Sequence, residues 1–449
     1  MNEEFTWHES TVIALATPVG TGALAVLRMT GSRALDIFSA CTGGRSFEPR
    51  RATLCKVRDQ QGHVIDEVIA TYFAAPASFT GEDVIEITCH GGMLVVRRLQ
   101  ERLIAAGAQA AEAGEFSRRA FEQGKLDLTQ AEAVMDVIAA SSDLALRAAQ
   151  NQLGGAISTR VGAAVQELIS LTAHIEAYID FPDEDISPDS QAALTARLRG
   201  IAKQLQALLA TADEGRLLRE GVRTVLVGAP NAGKSSLLNC LLGYERAIIS
   251  EVAGTTRDTI EERVNLGPLC LRLIDTAGLH ESADAIECAG MERSRQAGAA
   301  ADLLIEVVDA SRPPIALDLD LPETTKRLLV LNKCDLPLHE AWANDTDALR
   351  ISCIKGEGIP DLEKSIEELF FTSGVEEDSL AAINMRHRSA IERALQHLNL
   401  AEESLEQAVS PEFVSLELRD ALDALGSITG KVDTEDILGS IFSQFCLGK

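Results

Sequence analysis

Hydrophobic positions change their spacing along the chain, and the first spacing predicts a mixed α+β fold. Over residues 1–122, short apolar runs alternate with turns that contain glycine or proline, which is typical of strands joined by loops. Two stretches between them have the three-to-four-residue spacing of helices. The predicted elements are strands at Val12 to Leu15, Ala23 to Met29, Val64 to Phe73 and Val84 to Thr88, and helices near 33–40 and 93–106.

A helical spacing begins at Leu126. Apolar residues repeat at steps of three or four in 128–138, 161–179 and 194–208, so each stretch predicts an amphipathic helix that needs a packing partner. Pro182 lies between the second and third stretch and separates them, because proline does not continue a helix interior.

Residues 218–375 repeat a strand-turn-helix pattern that predicts a mostly parallel α/β domain. Its predicted strands are Thr224 to Val227, Leu269 to Ile274, Leu303 to Val308 and Leu328 to Leu331. Helical spacing returns afterwards, so we expect the α/β domain to be inserted into a discontinuous helical bundle. The predicted domains are 1–122, 123–217, 218–375 and 376–449.

Charge and cysteine content narrow the function classes. The net charge is −27, and residues 1–122 hold 12 basic and 15 acidic residues, so most of the excess negative charge lies further along. Such a surface repels phosphate backbones, and any RNA is expected to be held largely by a basic partner. Nine cysteines without C-x-x-C spacing argue against a disulfide framework. The acidic N-terminus and the lack of a long apolar run predict a cytoplasmic protein with no membrane contact.

The segment Gly228 to Ser235 matches the phosphate-binding pattern G-x-x-x-x-G-K-[ST] and stands between a predicted strand and a predicted helix. Its glycines let backbone N–H groups surround the β-phosphate, Lys234 reaches the β- and γ-phosphate oxygens, and the Ser235 hydroxyl binds Mg²⁺. The residues predicted to contact the nucleotide here are Asn231, Ala232, Gly233, Lys234, Ser235 and Ser236.

Two later motifs favour GTP over ATP. Asp275 to Gly278 (Asp275, Thr276, Ala277, Gly278) follows a predicted strand, where the acid can hold Mg²⁺ through water and the glycine N–H can face the γ-phosphate. Asn332 to Asp335 (Asn332, Lys333, Cys334, Asp335) follows another strand. The Asp335 carboxylate can accept hydrogen bonds from guanine N1–H and the amino group, a donor pair that adenine lacks. Ser352, Cys353 and Ile354 are expected to close over the base.

The site departs from that of a Ras-type switch. Leu279 stands where a glutamine would orient the attacking water. The amide oxygen of Asn231 can ligate a cation that stabilises phosphate charge, as an arginine finger does; the alternative is that the residue only stabilises the turn. Thr256 is placed to bind Mg²⁺, and Arg257 can act in catalysis or be an ordinary surface arginine.

These motifs, together with Phe445 to Lys449 at the C-terminus, closely resemble the MnmE/TrmE family of tRNA-modification GTPases. The resemblance runs from end to end of the chain. Its further segments are Ser78 to Asp83, His90 to Gly92, Gly114 to Ser117, Arg119 to Phe121, Lys125 to Leu128 and Ile175 to Glu184.

The resemblance implies a homodimer built through N-terminal folate-binding domains, a helical domain and an inserted Ras-like GTPase domain. It implies a potassium-stimulated GTPase that works with the flavin-dependent partner MnmG in a heterotetramer. Together they would add a (carboxymethyl)aminomethyl group at carbon 5 of the wobble uridine of certain tRNAs. The one-carbon donor would be 5-formyl- or 5,10-methylene-tetrahydrofolate.

The same resemblance assigns roles to individual residues. It gives Glu287 the part of the water-orienting carboxylate, and it makes Cys446 a functional thiol, although a buried packing role is equally open. Potassium would be bound by Asn231, Ser250, Val252 and Thr255, the folate by Arg28, Glu86, Lys125 and Lys449, and catalysis would involve Glu287, Lys234, Arg257 and Cys446. Thr21, His280 and Cys353 differ from the residues usual in the family.

Two other functions are open at this point. One is a GTP-timed ribosome or RNA assembly factor, which would need a basic RNA-binding appendage where this chain has acidic helices. The other is a one-carbon enzyme whose GTPase domain is only regulatory, so that tRNA modification would survive the loss of GTP hydrolysis.

Overall fold

The computed structural model describes residues 10–180, 191–244, 262–274, 301–315, 322, 324–343, 345–346, 348–370, 383–407, 409–430, 438, 441–442, 445 and 448. The chain divides into two compact units, Met1–Met135 with Leu418–Lys449, and Asp136–Glu417. The boundaries predicted for the four domains stay predictions. None of the helices described combines the length and apolar character that a membrane crossing requires.

The first unit contains a six-stranded sheet in the order β3-β4-β5-β2-β1-β6, in which only β6 runs parallel to its neighbour. Its elements are β1 (Val12–Leu15), β2 (Leu24–Thr30), α1 (Ala34–Cys41), β3 (Thr53–Arg58), β4 (Val64–Phe73), β5 (Val84–His90), α2 (Met93–Ala105), β6 (Gln109–Ala110) and α3 (Glu115–Glu122). The predicted α+β fold is confirmed.

Alternation along the strands gives this sheet two different faces. Leu27 and Ile87 are register partners and are fully buried in a core that includes residues of α1 and α2. The next pair, Arg28 and Glu86, therefore lies on the opposite face. A smaller cluster around Phe116 packs on that face.

The remaining elements are mostly helical before and after a second sheet. They are α4 (Leu128–Ala139), α5 (Asp143–Leu153), α6 (Ala156–Asp180), α7 (Gln191–Leu209), α8 (Ala212–Glu220), β7 (Val222–Val227), α9 (Lys234–Tyr244), β8 (Glu262–Leu266), β9 (Leu269–Leu273), β10 (Leu303–Asp309), β11 (Lys326–Asn332), β12 (Leu349–Arg350), α10 (Ile359–Phe370), α11 (Met385–Glu406) and α12 (Pro411–Thr429).

The second sheet has the order β12-β11-β10-β7-β9-β8 and is parallel except for the β8-β9 hairpin. This confirms the mostly parallel α/β fold. Because parallel strands present their carboxyl ends at one edge, the loops after β7, β10, β11 and β12 meet there. The candidate nucleotide-binding residues that the structure describes lie in these loops or in the first turn of α9.

The prediction that C-terminal helices pack on the earlier helical segment is confirmed for one pair. Helix α11 packs along α7, and Arg199 Nε donates to Glu402 Oε1 over 2.6 Å. The sequence pattern did not predict α3, α5, α8, β3, β6 or β8. In α5 and α8, Leu144 and Leu217 are buried in the core of the second sheet, so tertiary packing stabilises these short segments.

Candidate functional site

The loop between β7 and α9 has a backbone that only glycine allows at two positions. Gly228 has φ +149°, and a Cβ placed there would lie 2.1 Å from the carbonyl oxygen of Val307 in β10. Gly233 has φ +103°, and its Cβ would lie 2.1 Å from Asn332 Nδ2. The glycines of the motif therefore fix how closely the loop approaches β10 and the base-recognition loop.

Lys234 is the first residue of α9, and its ammonium group lies over the phosphate-binding loop. Its Nζ donates to the carbonyl oxygens of Gly228 at 2.7 Å and Ala229 at 3.1 Å. Burial lowers the pKa of Lys234. Ser235 and Ser236 follow in the first turn of α9, where helix N–H groups favour an anion.

Asn332 connects the phosphate-binding loop to the base-recognition loops. Its Nδ2 donates to the carbonyl oxygen of Ala232 at 3.1 Å, and its Oδ1 accepts from the Cys353 backbone N–H at 3.3 Å. The side chain is almost fully buried, so both hydrogen bonds fix its orientation. The structure thus brings together the three predicted segments that it describes.

The predicted base-recognition residues are close to one another. Ser352 Oγ donates to Asp335 Oδ1 over 2.7 Å, and this orients the carboxylate. Cys353 packs against the core of the second sheet, and burial raises the pKa of its thiol to about 11. The thiol is therefore neutral at ordinary pH and serves here as a small apolar side chain. Ile354 is exposed.

Part of the predicted site lies outside the described residues. Ile274 is the last described residue before the predicted acidic motif. The assignments of the following residues stay predictions: Ser250, Val252, Thr255, Thr256, Arg257, Asp275, Thr276, Ala277, Gly278, Glu287, Cys446 and Lys449.

In the first unit, the structure pairs two of the predicted folate residues. Arg28 Nη2 and Nε donate to Glu86 Oε1 at 2.7 and 3.1 Å. The Arg28 guanidinium also lies 5.5 Å from the ring centre of Phe79 and 5.9 Å from that of Phe116. About a fifth of the arginine side chain and a third of the glutamate side chain are exposed. The pair can therefore present hydrogen-bond donors and acceptors to a polar heterocycle that packs beside the aromatic rings.

Lys125, the other predicted folate residue in the described part of the chain, lies in the loop after α3. Lys125 Nζ donates to the carbonyl oxygen of Pro76 at 3.0 Å, so it ties its own loop to the one before Phe79. Gly448 has φ +89°, and a Cβ there would lie 2.5 Å from the carbonyl oxygen of Leu15, at the end of β1. Gly448 therefore lies against the end of β1, in the sheet that carries Arg28.

Two features of the described structure have no motif in the sequence: Asp309 beside the predicted nucleotide site, and a buried charge cluster near the predicted folate residues. Asp309 ends β10 and contacts Lys333, and the signal for it was its position at the carboxyl end of a buried strand. Arg119 and Glu115 are buried, and Arg119 Nη2 donates to Glu115 Oε1 at 2.6 Å while its Nη1 donates to the partly buried Glu82. This cluster joins α3 to the loop after Phe79.

Comparisons with known proteins agree with these features. A family model described as GTP-binding protein TrmE N-terminus matches residues 11–125, and one described as MnmE helical domain matches residues 128–446. A protein of Akkermansia muciniphila named tRNA modification GTPase MnmE is 56% identical over 98% of this chain and 99% of its own length. Proteins of the same name from Alkaliphilus metalliredigens and Xanthomonas campestris are 42% and 45% identical over 98% of this chain and 99% of their own length.

Among solved structures, the G domain of the T. maritima FeoB iron transporter is 24% identical and covers 33% of this chain and 97% of its own, with a TM-score of 0.22. A TM-score this low supports no conclusion about the fold or function of this chain. The family assignment depends on the two family models and on the full-length relatives. The chain belongs to the MnmE/TrmE family of tRNA-modification GTPases.

Proposed function

We propose that this protein is a potassium-stimulated GTPase that couples GTP hydrolysis to modification of the wobble uridine of tRNA. The observation that carries the proposal is the connection between the phosphate-binding and guanine-recognition loops through Asn332, with the Asp335 carboxylate oriented by Ser352. A carboxylate held in this way selects a base with two adjacent donors, which favours guanine.

The residues proposed to surround the phosphates have different roles in hydrolysis. Lys234 would exchange its bonds to the Gly228 and Ala229 carbonyls for the β- and γ-phosphate oxygens. Glu287 would accept a hydrogen bond from the attacking water and orient it. Ser235 and Thr256 would hold Mg²⁺, with Asp275 holding it through water, and the ion would supply positive charge at the phosphates.

The residues around Asn231 suit a monovalent cation. Asn231 is exposed in the loop with φ +61°, a conformation that Asn tolerates better than most side chains. Its amide oxygen and the backbone of Ser250, Val252 and Thr255 would hold K⁺. When bound, the ion would supply the charge that an arginine finger supplies in other GTPases.

For the tRNA reaction, we infer that Arg28, Glu86, Lys125 and Lys449 bind a tetrahydrofolate that supplies the one-carbon unit. The pairing of Arg28 with Glu86 on the ring faces of Phe79 and Phe116 supports a heterocycle site. We further infer a cytoplasmic homodimer that acts with the flavin-dependent MnmG, which would hold most of the tRNA because this chain carries a net charge of −27.

The cation proposal predicts a large difference between hydrolysis in potassium and in sodium. At saturating GTP, the rate in potassium should exceed that in sodium by about tenfold or more, since charge stabilisation at the phosphates is worth about 10³–10⁵ in related GTPases. Asn231→Ala should remove the difference. The measurement is phosphate release in matched KCl and NaCl buffers.

Asn239→Ala is the matched control for this experiment. It removes the same amide from an exposed position of α9, five residues beyond Lys234, and should keep the potassium response. Equal rates of the unaltered protein in the two salts would refute potassium stimulation.

Removal of residues 446–449 should separate hydrolysis from tRNA modification. The described part of the tail approaches the Leu15 carbonyl in the first unit, and the nucleotide loop belongs to the second unit. GTP hydrolysis should therefore stay within about twofold of normal while wobble modification is lost. Mass analysis of tRNA nucleosides from complemented cells measures the modification.

Cys446→Ser tests whether that effect depends on the thiol. If Cys446→Ser and the truncation both abolish modification, the thiol itself has a function. If only the truncation abolishes modification, the effect comes from the packing of the tail or from Lys449. Normal modification in the truncated protein would exclude a role for the tail.

A further inference from the structure

Two residues of the nucleotide site share an unusual backbone conformation and are joined by one hydrogen bond. In the described part of the chain, the non-glycine residues with positive φ are Arg50, Asn231 and Lys333, the last two at +61° and +65°. Lys333 Nζ donates to the backbone carbonyl oxygen of Asn231 at 2.8 Å. The left-handed residue of the base-recognition motif thus holds the left-handed residue of the phosphate-binding loop.

A left-handed conformation costs a non-glycine residue about 1–2 kcal/mol and persists only where its surroundings determine it. The hydrogen bond to the Asn231 carbonyl fixes the plane of the peptide between Asn231 and Ala232. That peptide carries an N–H group of the loop predicted to surround the β-phosphate. The left-handed conformation of Asn231 also sets the direction in which its side chain projects from the loop.

Asp309 holds the other side of the Lys333 ammonium. It ends β10 opposite Asn332 in the register with β11, and Lys333 Nζ donates to its Oδ2 at 2.7 Å. Its Oδ1 accepts from the Ser311 backbone N–H at 3.0 Å and from Ser311 Oγ at 2.6 Å. With both oxygens engaged and 8% of the residue exposed, the carboxylate has one orientation.

The protonation state of Asp309 suits this contact. Burial by itself raises the pKa of a carboxyl group, but hydrogen bonds from Lys333 and Ser311 outweigh it, so the pKa of Asp309 lies below its ordinary value. Asp309 is therefore ionised at neutral pH and forms an ion pair with Lys333. Arg312 Nε lies further away, at 3.7 Å from Oδ2.

The two lysines of the site differ in what holds them. Lys234 donates to the Gly228 and Ala229 carbonyls, bonds that phosphate oxygens can replace. Lys333 is bound to a carboxylate, and an ion pair of this geometry is not given up to an incoming phosphate as readily as a carbonyl contact. Lys333 is thus fixed in place, and Lys234 is free to move onto the nucleotide.

We propose that Asp309 is a positioning residue for guanine-nucleotide binding, which holds Lys333 against the Asn231 carbonyl and so fixes the left-handed turn of the phosphate-binding loop. The inference rests on the proposed GTPase function and extends it to a residue outside the nucleotide-binding motifs. Asp309 acts through Lys333 and Asn231.

The test compares Asp309→Ala with Asp302→Ala in the full-length protein. Asp302 precedes the other end of β10, is about equally buried, and also forms ion pairs, with Arg216 and Arg223. The probe is N-methylanthraniloyl-GDP titrated in sodium buffer with Mg²⁺. Asp309→Ala should weaken binding about tenfold, whereas Asp302→Ala should leave it within about twofold.

Asp309→Asn should give a smaller loss, about threefold, because the amide oxygen can still accept from Lys333 without the charge, while the amide nitrogen replaces the oxygen that accepts from the Ser311 backbone N–H. If Asp309→Ala does not fold, the GDP affinity of Asp309→Asn still tests the proposal. Potassium titration of GTP hydrolysis is the second measurement, and the half-saturating potassium concentration should rise for the Asp309 variants but not for Asp302→Ala.

Equal weakening of GDP binding by Asp309→Ala and Asp302→Ala would overturn the proposal, since both would then act only through stability. Unaltered GDP binding in both Asp309 variants would also overturn it. The GDP titration uses sodium, so absence of potassium stimulation in the unaltered protein would refute that part of the proposed function and leave this comparison valid.

Discussion

Replacing Asp335 by asparagine is expected to change the base preference from guanine to xanthine. Ser352 Oγ donates to one oxygen of the Asp335 side chain, and in the variant it should keep the amide oxygen at that position. The amide nitrogen would then face the substituent at carbon 2 of the purine. Guanine has an amino group there, so donor meets donor, whereas xanthine has a carbonyl oxygen that accepts.

The expected loss of GTP affinity is about 10²–10⁴-fold, because two hydrogen bonds to a charged acceptor are lost or weakened at about 1.5–3 kcal/mol each. Competition of GTP and xanthosine triphosphate against a fluorescent GDP analogue measures the change. Asp361→Asn, an equal charge change at an exposed residue in the first turn of α10, should leave the preference unaltered. An Asp335→Asn protein that still prefers GTP would refute the assignment of Asp335 to the base.

The sequence predicts the nucleotide-site segments that combine a recognisable binding motif with a position directly after a predicted strand. The segments containing Lys234, Asn332 and Ser352 each follow a short apolar run, and parallel strands bring such segments to one edge of a sheet. Three-dimensional contacts such as that between Asn332 and Ala232 then confirm their proximity. The strand ends in this domain could therefore be predicted from local hydrophobic runs and motif position together.

The role of Asp309 could not be predicted in the same way. The sequence places Asp309 directly after a predicted strand. A single aspartate in that position, however, belongs to no motif from which its contact residue could be predicted. The partner, Lys333, lies 24 residues further along, and their contact depends on the β10-β11 register. Such pairings are set by tertiary structure, which residue spacing alone does not determine.

The predicted folate residues show a similar limit. Arg28 and Glu86 are 58 residues apart and become neighbours because β2 pairs with β5 in one register. A slip of β5 by one residue would send Glu86 to the opposite face and leave Arg28 without this partner. The family resemblance supplied their assignment to a common site, and strand pairing shows that the two can act together, although their ligand stays a proposal.

Replacing Gly228 by alanine is expected to destabilise the second sheet by about 3 kcal/mol or more. The new Cβ would lie 2.1 Å from the Val307 carbonyl oxygen, and φ of +149° is strained for any residue with a side chain. Relief of the clash requires β7 and β10 to separate at the phosphate-binding end. Because the protein has more than one compact unit, global unfolding is an ambiguous measure, and hydrogen exchange of β7 and β10 peptides is preferred.

Gly243→Ala is the matched control, since its Cβ would meet no atom within 4 Å and the residue lies in α9. Alanine there should leave exchange in β7 and β10 unchanged or slow it slightly, because alanine exceeds glycine in helix propensity by about 1 kcal/mol. Faster exchange confined to the Gly228 variant, with loss of GDP binding, would show that close approach of the loop to β10 is required. Equal exchange in the two variants would mean that the loop relaxes around the methyl group, and the steric explanation for Gly228 would then be wrong.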